Sequence, residues 1–493
     1  MSTIRTKIVA TMGPAVAEVP TLLELFRAGV DICRLNFSHG SLDDHLLMLR
    51  KIREAAAMHD QPVGILGDLC GPKIRLGKVI DVEGTGGMPI EPGDELILQR
   101  APIEGANGIV STIFPQMVDD VQIGNRVLIE DGLLRFICIE KSSDHLVLKC
   151  TDGGVIKSSK GINLPDTTVN TPALTEKDWR DADWAVANDL DYLALSFVRK
   201  ADDLSLLRQH LLNKVSDIHL IAKIEKPEGV KNIDSIIEHC DGLMVARGDL
   251  GVEMDVAQVP IIQKDLIHRC QRAGKPVIVA TQMLQSMIEE STPTRAEVSD
   301  VANAIFDGSD AVMLSGETSV GKFPVQTVRT MAHIAEITER YLDTIPSKVE
   351  PELELRTLPL SSAMARGVWQ IVQDMELKLV CVWSQTGSTA RLFSKYRMSV
   401  PIVALSSDHR ALRRMALHYG VVPQEMPPPE EFTGLIAWVD EFLQRKKMAR
   451  AGDRVVIVAG LSMTAPGTVN NLVIQTVGEH AVRAEKPPGR RGS

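Results

Sequence analysis

Charged and polar side chains that could do chemistry stand directly after short apolar runs of this sequence. Turn-forming residues are expected where a buried strand ends, but Arg34, Lys223 and Arg247 are not turn formers. Their recurrence at one end of successive runs therefore indicates a site that several strands assemble. The residues at these run ends are Arg34, Asn36, Ser38, His39, Asp68, Lys223, Glu225, Arg247, Gly248, Asp249, Thr281, Gln282, Ser315, Gly316 and Glu317.

Two acidic residues at these ends, Glu225 and Asp249, could share a divalent cation. Successive side chains of a strand alternate between its faces, so Lys223 and Glu225 are expected on the same face. Two carboxylates with room for water and substrate oxygens suit Mg²⁺ or Mn²⁺, whereas zinc would require His or Cys ligands. A lone Lys-x-Glu pattern is more often a solvated strand end, and it is Asp249 on the neighbouring run that favours a metal site.

Arg34 and Lys223 add fixed positive charge beside the expected metal site. Arg grips a phosphate or carboxylate through two parallel hydrogen bonds. Lys offers a compact charge to an oxygen that becomes negative during a reaction. Together with a divalent cation they are the equipment of phosphoryl transfer or of enolate chemistry, and the residue types leave both chemistries open.

Eight apolar runs rich in Val, Ile, Leu and Ala would carry these residues as strands buried on both faces. Amphipathic stretches between them, such as residues 20–28 and 42–59, predict helices and hence parallel βαβ units. Eight such units predict a (β/α)₈ TIM barrel, with function at the C-terminal ends of its strands. A doubly wound open sheet is the alternative on periodicity alone. The runs are residues 4–12, 31–37, 63–69, 191–198, 218–226, 242–249, 275–283 and 311–317.

The interval between the third and fourth runs is much longer than the others, which predicts a domain inserted after strand 3. Residues 71–156 are rich in Gly and in short alternating runs, which is typical of a small antiparallel β module that could cover the barrel end as a lid. The expected domains are the barrel (1–70 and 157–345), the β-rich lid (71–156) and a C-terminal α/β domain (346–493) that begins with a linker around Pro351 and Pro359. Strands of this last domain are expected at 377–384, 401–407, 421–426, 454–460 and 471–477.

Length and composition exclude several classes of protein. The chain has 493 residues, which suggests roughly three domains. A net charge of -10 argues against sequence-independent binding of nucleic acid, and no apolar run is long enough to span a membrane. The 7 cysteines form no CxxC pair, which argues against a disulfide framework or a zinc site and favours a reducing compartment. We therefore expect a cytoplasmic protein.

Residues 316–322 superficially match a phosphate-binding P-loop, with Gly316 and the pair Gly321 and Lys322 after an apolar run. That motif requires Ser or Thr next, to hold Mg²⁺, but the next residue is Phe323. No GxGxxG follows the first run, so a dinucleotide-binding fold has little support either. Neither motif is expected to function here.

Long and specific motifs recur along almost the whole chain. They are TKIVATMGPA (6–15), RLNFSHG (34–40), GDLCGPKIR (67–75), KGINLP (160–165), LTEKD (174–178), AKIEKPEG (222–229), MVARGDLGVE (244–253), ATQMLQSM (280–287), PTRAEVSDVANAIFDGSDAVMLSGET (293–318), SQTGSTAR (384–391) and GDRVVIVAG (452–460). In these motifs the chain resembles the pyruvate kinase family, in its bacterial type. The architecture of that family, a barrel with a β lid after its third strand and a C-terminal α/β domain, agrees with the interpretation above.

The resemblance implies transfer of the phosphoryl group of phosphoenolpyruvate to ADP, which gives pyruvate and ATP. Carried over by motif, Arg34 holds the transferring phosphate, and Lys223 neutralises the moving phosphoryl group and the developing enolate. Glu225 and Asp249 hold Mg²⁺ or Mn²⁺, and a second Mg²⁺ arrives with ADP. The resemblance assigns the substrate carboxylate to the backbone around Gly248 and Asp249 together with Thr281, and it places Thr281 in the network that protonates the enolate. It assigns the nucleotide side to Asn36, Ser38, His39, Arg75 and Lys160.

One position departs from the family pattern. Many members carry Glu at the third position of the GPxIR motif, where this chain has Lys73. Because a fixed ammonium can supply the charge that Glu would draw in as K⁺, we expect activity without K⁺. A solvated lid residue is the alternative reading of Lys73. The family's K⁺ positions, which could persist here as a vestigial cation site, match Asn36, Ser38, Asp68 and the carbonyl of Leu69.

The C-terminal domain carries a loop that the resemblance connects with regulation. Hydroxyls and backbone N–H groups at a helix N-terminus bind phosphate, and the matching loop holds a sugar-phosphate effector in regulated relatives. Simple capping by Ser388 or Thr389 is the alternative, and a nucleotide effector is equally open. The resemblance also implies a homotetramer. The loop residues are Ser384, Thr386, Gly387, Ser388 and Thr389.

Two other functions fit part of the pattern. A lyase or aldolase that acts on a keto acid through a metal enolate would share Lys223, Glu225 and Asp249, but it would not need a lid or the side lined by Arg75 and Lys160. A silent binding or regulatory protein would be expected to lack some catalytic residue types, and none is lacking here.

Overall fold

The barrel strands are short, and almost every residue in them is buried. The structure is a computed structural model that describes residues 4–59, 61–81, 84, 86–169, 171–345, 353, 359–428, 431–460 and 469–479. With strands numbered along the whole chain, the barrel strands are β1 (Lys7–Thr11), β2 (Ile32–Asn36), β3 (Gly64–Asp68), β12 (Tyr192–Leu195), β13 (His219–Ile224), β14 (Gly242–Ala246), β15 (Val277–Ala280) and β16 (Ala311–Leu314).

These eight parallel strands form a closed barrel in the order β1-β16-β15-β14-β13-β12-β3-β2. Because β1 pairs with both β2 and β16, the sheet has no edge, and the doubly wound open sheet is wrong. The predicted (β/α)₈ TIM barrel is confirmed, with each predicted run containing one strand. The runs are longer than the strands because they include residues that flank the strands at either end, many of them polar, such as Glu225 and Asp249.

Helices surround the barrel and pack on its outer face, where Leu22, Leu49 and Leu266 belong to one continuous core. Several begin with the signals that the sequence provides: Ser41, Thr175 and Thr294 each accept a hydrogen bond in a capping box. The helices of the barrel are α1 (Val19–Ala28), α2 (Leu42–Ala57), α4 (Glu176–Ala187), α5 (Ala201–Asn213), α6 (Pro227–Lys231), α7 (Ile233–His239), α8 (Arg247–Glu253), α9 (Val259–Arg272), α10 (Arg295–Phe306), α11 (Gly316–Ser319) and α12 (Pro324–Leu342), with 3₁₀ turns at Pro14–Val16, Val256–Gln258 and Gln285–Ile288.

The lid follows β3 and has its own apolar core, which includes Leu96, Phe136 and Leu148. Its larger sheet runs in the order β11-β7-β8-β9-β5-β6 and is antiparallel except for the pair β5 and β6. The pairing of β11 with β7 extends this sheet beyond residue 156, into the segment that the sequence analysis gives to the barrel. The lid elements are β4 (Met88–Ile90), β5 (Glu95–Gln99), β6 (Ile109–Ser111), α3 (Met117–Asp120), β7 (Arg126–Ile129), β8 (Leu134–Lys141), β9 (His145–Asp152), β10 (Gly154–Ile156) and β11 (Ile162–Asn163).

The C-terminal domain is an α/β sheet in the order β19-β18-β17-β20-β21, parallel except for the edge strand β21. Each predicted run of this domain contains one of these strands. The linker expected around Pro351 lies outside the described residues, and Pro359 begins α13. The elements are α13 (Pro359–Asp374), β17 (Leu379–Trp383), α14 (Ser388–Ser394), β18 (Ile402–Ser406), α15 (His409–Met415), β19 (Val421–Glu425), α16 (Phe432–Arg445), β20 (Arg454–Ala459) and β21 (Asn471–Thr476).

The C-terminal domain closes the N-terminal end of the barrel. Ala416 and Leu417, which follow α15, pack inside the barrel in one cluster with residues such as Val9 and Tyr192. Around them, ion pairs join the two domains, among them the buried pair of Lys395 and Asp310 at 2.6 Å. The opposite, C-terminal end of the barrel faces the lid. In the described part of the chain, no helix combines the length and the apolarity that a membrane span requires.

The apolar plug at Leu417 gives a prediction about stability. Leu417 is fully buried among barrel side chains, so Leu417→Ala removes buried methyl groups and leaves a cavity. We expect the free energy of unfolding, measured by urea denaturation, to fall by about 2–5 kcal/mol. The matched control is Leu212→Ala, because the Leu212 side chain on α5 is 58% exposed. An equal loss in both variants would contradict a plug that stabilises the barrel.

Candidate active site

A cavity of about 300 Å³ lies between the C-terminal end of the barrel and the lid. Barrel residues and lid residues both contribute to its wall, so the cavity depends on the position of the lid. Five residues that the sequence analysis predicts for the site line it: His39, Lys73, Arg75, Lys160 and Asp249. Asn36 and Ser38, predicted for the nucleotide side, are not among the lining residues.

A buried ionic cluster stands at the ends of β2, β3 and β13. Asp68 at the end of β3 accepts a hydrogen bond from Nε of Arg34 at 2.7 Å through Oδ2. Its Oδ1 lies 3.1 Å from Nζ of Lys223, and the same Nζ lies 3.0 Å from Oε1 of Glu225. All four residues are buried. The predicted proximity of Lys223 and Glu225 on one strand face is therefore seen directly.

Two effects compete in setting the pKa values of this cluster: burial disfavours the charged forms, and neighbouring opposite charges favour them. Burial alone would raise the pKa of Asp68, but the attraction of Lys223 and Arg34 outweighs it and lowers that pKa. Burial would likewise lower the pKa of Lys223, but Asp68 and Glu225 outweigh it and raise that pKa. At Glu225 burial dominates and raises the pKa. Asp68 and Lys223 are accordingly held as a charged pair.

Asp249 lies on α8, directly after β14, and completes the set of predicted carboxylates. It lines the cavity and is close enough to contribute to the raised pKa of both Lys223 and Glu225, after burial and the nearer contacts. Glu225 and Asp249 therefore face one region from neighbouring strands. The sequence-based expectation that they could share one position is compatible with this arrangement.

Thr281 follows β15 in a backbone conformation that β-branched residues rarely adopt, with a φ of 73°. Its Oγ1 accepts a hydrogen bond from the backbone N–H of Gly248 at 2.7 Å and donates one to the carbonyl of Ala280 at 2.6 Å. Arg247 donates to the Thr281 carbonyl at 2.8 Å and is itself paired with Asp300. Hydrogen bonds to both its side chain and its carbonyl thus stabilise the strained conformation of Thr281.

Three residues expected to form a monovalent cation site, Asn36, Asp68 and Leu69, make contacts within the protein. The carbonyl of Leu69 accepts a hydrogen bond from Oγ of Ser196 at 2.7 Å. The side-chain oxygen of Asn36 accepts one from the backbone N–H of Ser38 at 3.2 Å. Both oxygens of Asp68 face the cationic side chains described above.

The expected nucleotide side carries its own ion pair. Lys160 forms a salt bridge with Glu130 of the lid at 2.6 Å. Arg75 donates a hydrogen bond from Nη1 to the carbonyl of Ser159 at 2.9 Å. An incoming anion would therefore compete with Glu130 for Lys160, a contact that the residue types alone do not predict.

Positive charge reaches His39 from several directions. Burial lowers the pKa of His39, and the charges of Lys73, Arg75 and Arg34 lower it further. Lys73 is exposed, yet it lines the cavity together with His39. Its ammonium thus contributes positive charge to the cavity wall.

The predicted effector loop, residues 384–389, connects β17 to α14 in the C-terminal domain. Oγ of Ser384 accepts a hydrogen bond from the backbone N–H of Ala390 at 3.2 Å. The N-terminus of α14 has no side-chain cap at its first position, so neither Ser388 nor Thr389 caps the helix. The hydroxyls of Thr386 and Ser388 are 3.0 Å apart and exposed. The loop is remote from the cavity, because its domain packs on the other end of the barrel.

Several residues of the site are absent from the sequence-based set. Thr11 at the end of β1 accepts a hydrogen bond from Nη1 of Arg34 at 2.9 Å. Ser196, directly after β12, accepts one from Nζ of Lys223 at 2.6 Å. Both stand at strand ends, so the rule that finds Arg34 and Lys223 would have found them too. Lys226 and Glu253, which line the cavity, carry no comparable signal.

The donor set fits a hard divalent cation. Among the described residues, no group of three or more His, Cys, Asp and Glu side chains could hold a metal ion. Two neighbouring carboxylates, Glu225 and Asp249, leave open positions for substrate oxygens and water, which Mg²⁺ and Mn²⁺ accept. A closed structural metal site does not fit these residues. All 7 cysteines are free thiols.

Comparison with known proteins gives one consistent result. The family model "Pyruvate kinase, barrel domain" matches residues 3–328, and "Pyruvate kinase, alpha/beta domain" matches residues 362–475. A pyruvate kinase of Geobacillus stearothermophilus is 40% identical over 96% of this chain and 81% of its own length. One of Dictyostelium discoideum is 38% identical over 97% and 95%.

The fold leads to the same family. A crystal structure of a pyruvate kinase from Cryptosporidium parvum covers 97% of this chain and is itself covered to 97%, with a TM-score of 0.87 and 35% identity. Its likeness spans the barrel, the lid and the C-terminal domain together. With family models over both the barrel and the C-terminal domain, and with relatives near 40% identity over almost its full length, this chain belongs to the pyruvate kinase family.

Proposed function

We propose that Arg34, Lys223, Glu225 and Asp249 carry out the reaction of this family in this chain. The chain transfers the phosphoryl group of phosphoenolpyruvate to ADP, giving pyruvate and ATP, which is the last step of glycolysis. The observation that supports these residue roles is their convergence. Arg34, Lys223 and Glu225 meet around Asp68 in one buried ionic cluster, and Asp249 lines the adjacent cavity that the lid helps to form.

The cavity wall favours phosphoryl transfer to a nucleotide over a lyase or aldolase acting on a keto acid. Both reactions could use Lys223, Glu225 and Asp249. Only a second, phosphorylated substrate requires further cations, and Lys73, Arg75 and Lys160 line the same cavity beside His39. We therefore assign this side to ADP and the buried cluster to phosphoenolpyruvate.

The protein residues meet an electrostatic problem, since two anions must approach each other closely. Arg34 is oriented by Asp68 and Thr11 to bind the transferring phosphate. Lys223 is held as an ammonium and provides fixed charge to the oxygen that becomes an enolate. Glu225 and Asp249 would hold Mg²⁺ or Mn²⁺, which when bound neutralises charge on the phosphoryl and carboxyl oxygens.

The proton that converts the enolate to pyruvate is assigned to the network at Thr281. Its hydroxyl already bonds with Gly248 and Ala280, so its position is fixed before substrate arrives. The backbone of Gly248 and Asp249 would seat the substrate carboxylate at the beginning of α8. A lid over the cavity would exclude the water that could otherwise hydrolyse the phosphoryl group.

Lys223→Gln tests the assigned role of the ammonium. The substitution removes a preorganised charge that matters most when the enolate develops, so kcat should fall by about 10²–10³ or more. The KM for phosphoenolpyruvate should change by only about threefold or less. Steady-state kinetics with Lys214→Gln as control measures both, since Lys214 pairs with Asp183 at the surface. A kcat within tenfold of the parent would refute the assignment.

We also propose that Lys73 replaces K⁺. It lines the cavity together with His39, whose pKa its charge helps to lower, and Lys223 lies 3.1 Å from Oδ1 of Asp68, one of the atoms that match the family's K⁺ ligands. A fixed ammonium at this position supplies positive charge that a Glu could only recruit as an ion. The reaction would then not require a bound K⁺ at the vestigial cation site of Asn36, Ser38, Asp68 and Leu69.

Activity assays free of K⁺ and Na⁺ test this replacement. We expect the parent enzyme to keep its full rate there, and Lys73→Glu to lose about tenfold or more, because one stabilising charge is missing. Adding K⁺ should restore the Lys73→Glu variant. Lys78→Glu is the matched control, since Lys78 is an exposed lid residue. A strict K⁺ requirement of the parent enzyme would rule the proposal out.

The loop at residues 384–389 supports a proposed effector site for a sugar phosphate or a nucleotide. Gly387 allows the turn into α14 with a φ of 83°. The exposed hydroxyls of Thr386 and Ser388 remain available to an anion, while Ser384 satisfies the backbone. By analogy with the family we further propose a homotetramer located in the cytoplasm.

Titration of sugar phosphates and AMP at low phosphoenolpyruvate tests the effector loop. A bound effector should change the apparent affinity for phosphoenolpyruvate by about 5- to 150-fold, and the double variant Thr386→Ala/Ser388→Ala should abolish that response. Thr433→Ala removes another exposed hydroxyl of the same domain and serves as control. If none of these ligands changes the rate, the loop has only a structural role.

A further inference from the structure

Glu253 is a buried acid of the cavity wall with no role in the proposed reaction. It is the last residue of α8 and only 3% exposed. Asp249 precedes it by one helical turn, so the two carboxylates lie on the same side of α8. Both line the cavity. Any movement of Glu253 would therefore be transmitted through one short turn of helix to Asp249.

One oxygen of Glu253 connects three segments of the chain. Oε1 accepts a hydrogen bond from Nζ of Lys226 at 2.6 Å and another from Nδ2 of Asn163 at 2.9 Å. The other oxygen, Oε2, is buried and has no hydrogen-bond partner among the described residues. Since burial of an unsatisfied carboxylate oxygen is costly, the fold tolerates a penalty in order to keep this acid here.

The ion pair of Lys226 and Glu253 joins the two segments that carry the proposed metal ligands. Lys226 directly follows Glu225, and Glu253 shares α8 with Asp249. The Glu253 side chain is 1% exposed and that of Lys226 18% exposed, so solvent screens the pair weakly. The strands β13 and β14 are already paired, and this ion pair adds a side-chain cross-link between the segments that follow them.

Asn163 adds the lid to this cross-link. It belongs to β11, which pairs with β7 of the lid sheet, so Asn163 is part of the lid and its hydrogen bond joins the lid to α8. A displacement of the lid would leave Glu253 bonded to Lys226 and remove its second hydrogen-bond donor. The position of the lid therefore changes how firmly α8 is held.

We propose that Glu253 is a positioning residue that couples the lid to divalent-cation binding. Its ion pair with Lys226 sets the spacing of Glu225 and Asp249, and its hydrogen bond from Asn163 tightens that spacing while the lid lies over the cavity. The inference rests on the proposed function, because that function assigns Glu225 and Asp249 to the cation.

Direct binding of Mn²⁺, followed by the electron paramagnetic resonance signal of the free ion, tests this coupling without any turnover. Glu253→Gln keeps the shape of the side chain but leaves Lys226 without a charged partner. We expect it to weaken Mn²⁺ binding by about 10- to 100-fold, as the loss of an outer partner of a metal ligand does. Asn163→Ala removes one hydrogen bond from the lid and should weaken binding by about three- to tenfold.

Two comparisons make the result specific. Glu228→Gln removes the same charge from the wall of the same cavity, where no bond to Lys226 or Asn163 exists, and should change Mn²⁺ affinity by less than about twofold. Excess Mn²⁺ should restore kcat in Glu253→Gln, because the loss lies in cation binding. It should not restore kcat in Lys223→Gln, where the loss lies in the reaction.

A further variant separates this inference from the proposed function. If Asp249→Asn binds Mn²⁺ like the parent, the proposed metal site itself is wrong. If Asp249→Asn loses Mn²⁺ but Glu253→Gln and Asn163→Ala both bind within about twofold of the parent, the metal site stands and the coupling by Glu253 is overturned. Should Glu253→Gln fail to fold by circular dichroism, Asn163→Ala alone decides between these outcomes.

Discussion

The carboxylate of Asp68 bridges Arg34 and Lys223 at the end of the barrel, and Glu225 is a second carboxylate partner of Lys223. Each of these charges would be costly to bury alone, and each is tolerated because an opposite charge lies within about 3 Å. The cluster thus keeps two cations dry, close together and permanently charged, which a solvated surface could not do. Binding of an anionic substrate and stabilisation of a developing enolate both draw on this arrangement.

The barrel separates the stability of the molecule from its chemistry. At the N-terminal end of the strands, Leu417 fills the interior, and buried ion pairs such as that of Lys395 with Asp310 fasten the C-terminal domain. At the C-terminal end the interior is filled with charge instead. Because the core is sealed on one side by apolar packing, polar side chains can accumulate on the other side without opening the barrel to water.

The sequence predicts elements better than contacts, for physical reasons that particular residues illustrate. Strands buried on both faces leave continuous apolar runs, so all eight barrel strands and the side chains at their ends can be found. The two-residue strand at Ile162–Asn163 is too short for any periodicity, which places the lid boundary at 156 too early. Leu417 and Glu253 are typical core and surface residue types by sequence, and only three-dimensional packing gives them their partners.

Backbone strain at the site supports a preorganised centre. Thr281 and Phe197 both adopt a positive φ directly after barrel strands, which costs on the order of 1–3 kcal/mol for each residue. The restraining partners are themselves site residues: Arg247 and Gly248 bond with Thr281, and Glu225 accepts the N–H of Phe197 at 2.7 Å. Folding thus offsets the cost of this backbone strain, and the hydrogen-bond donors and carboxylates of the site already lie in position when substrate binds.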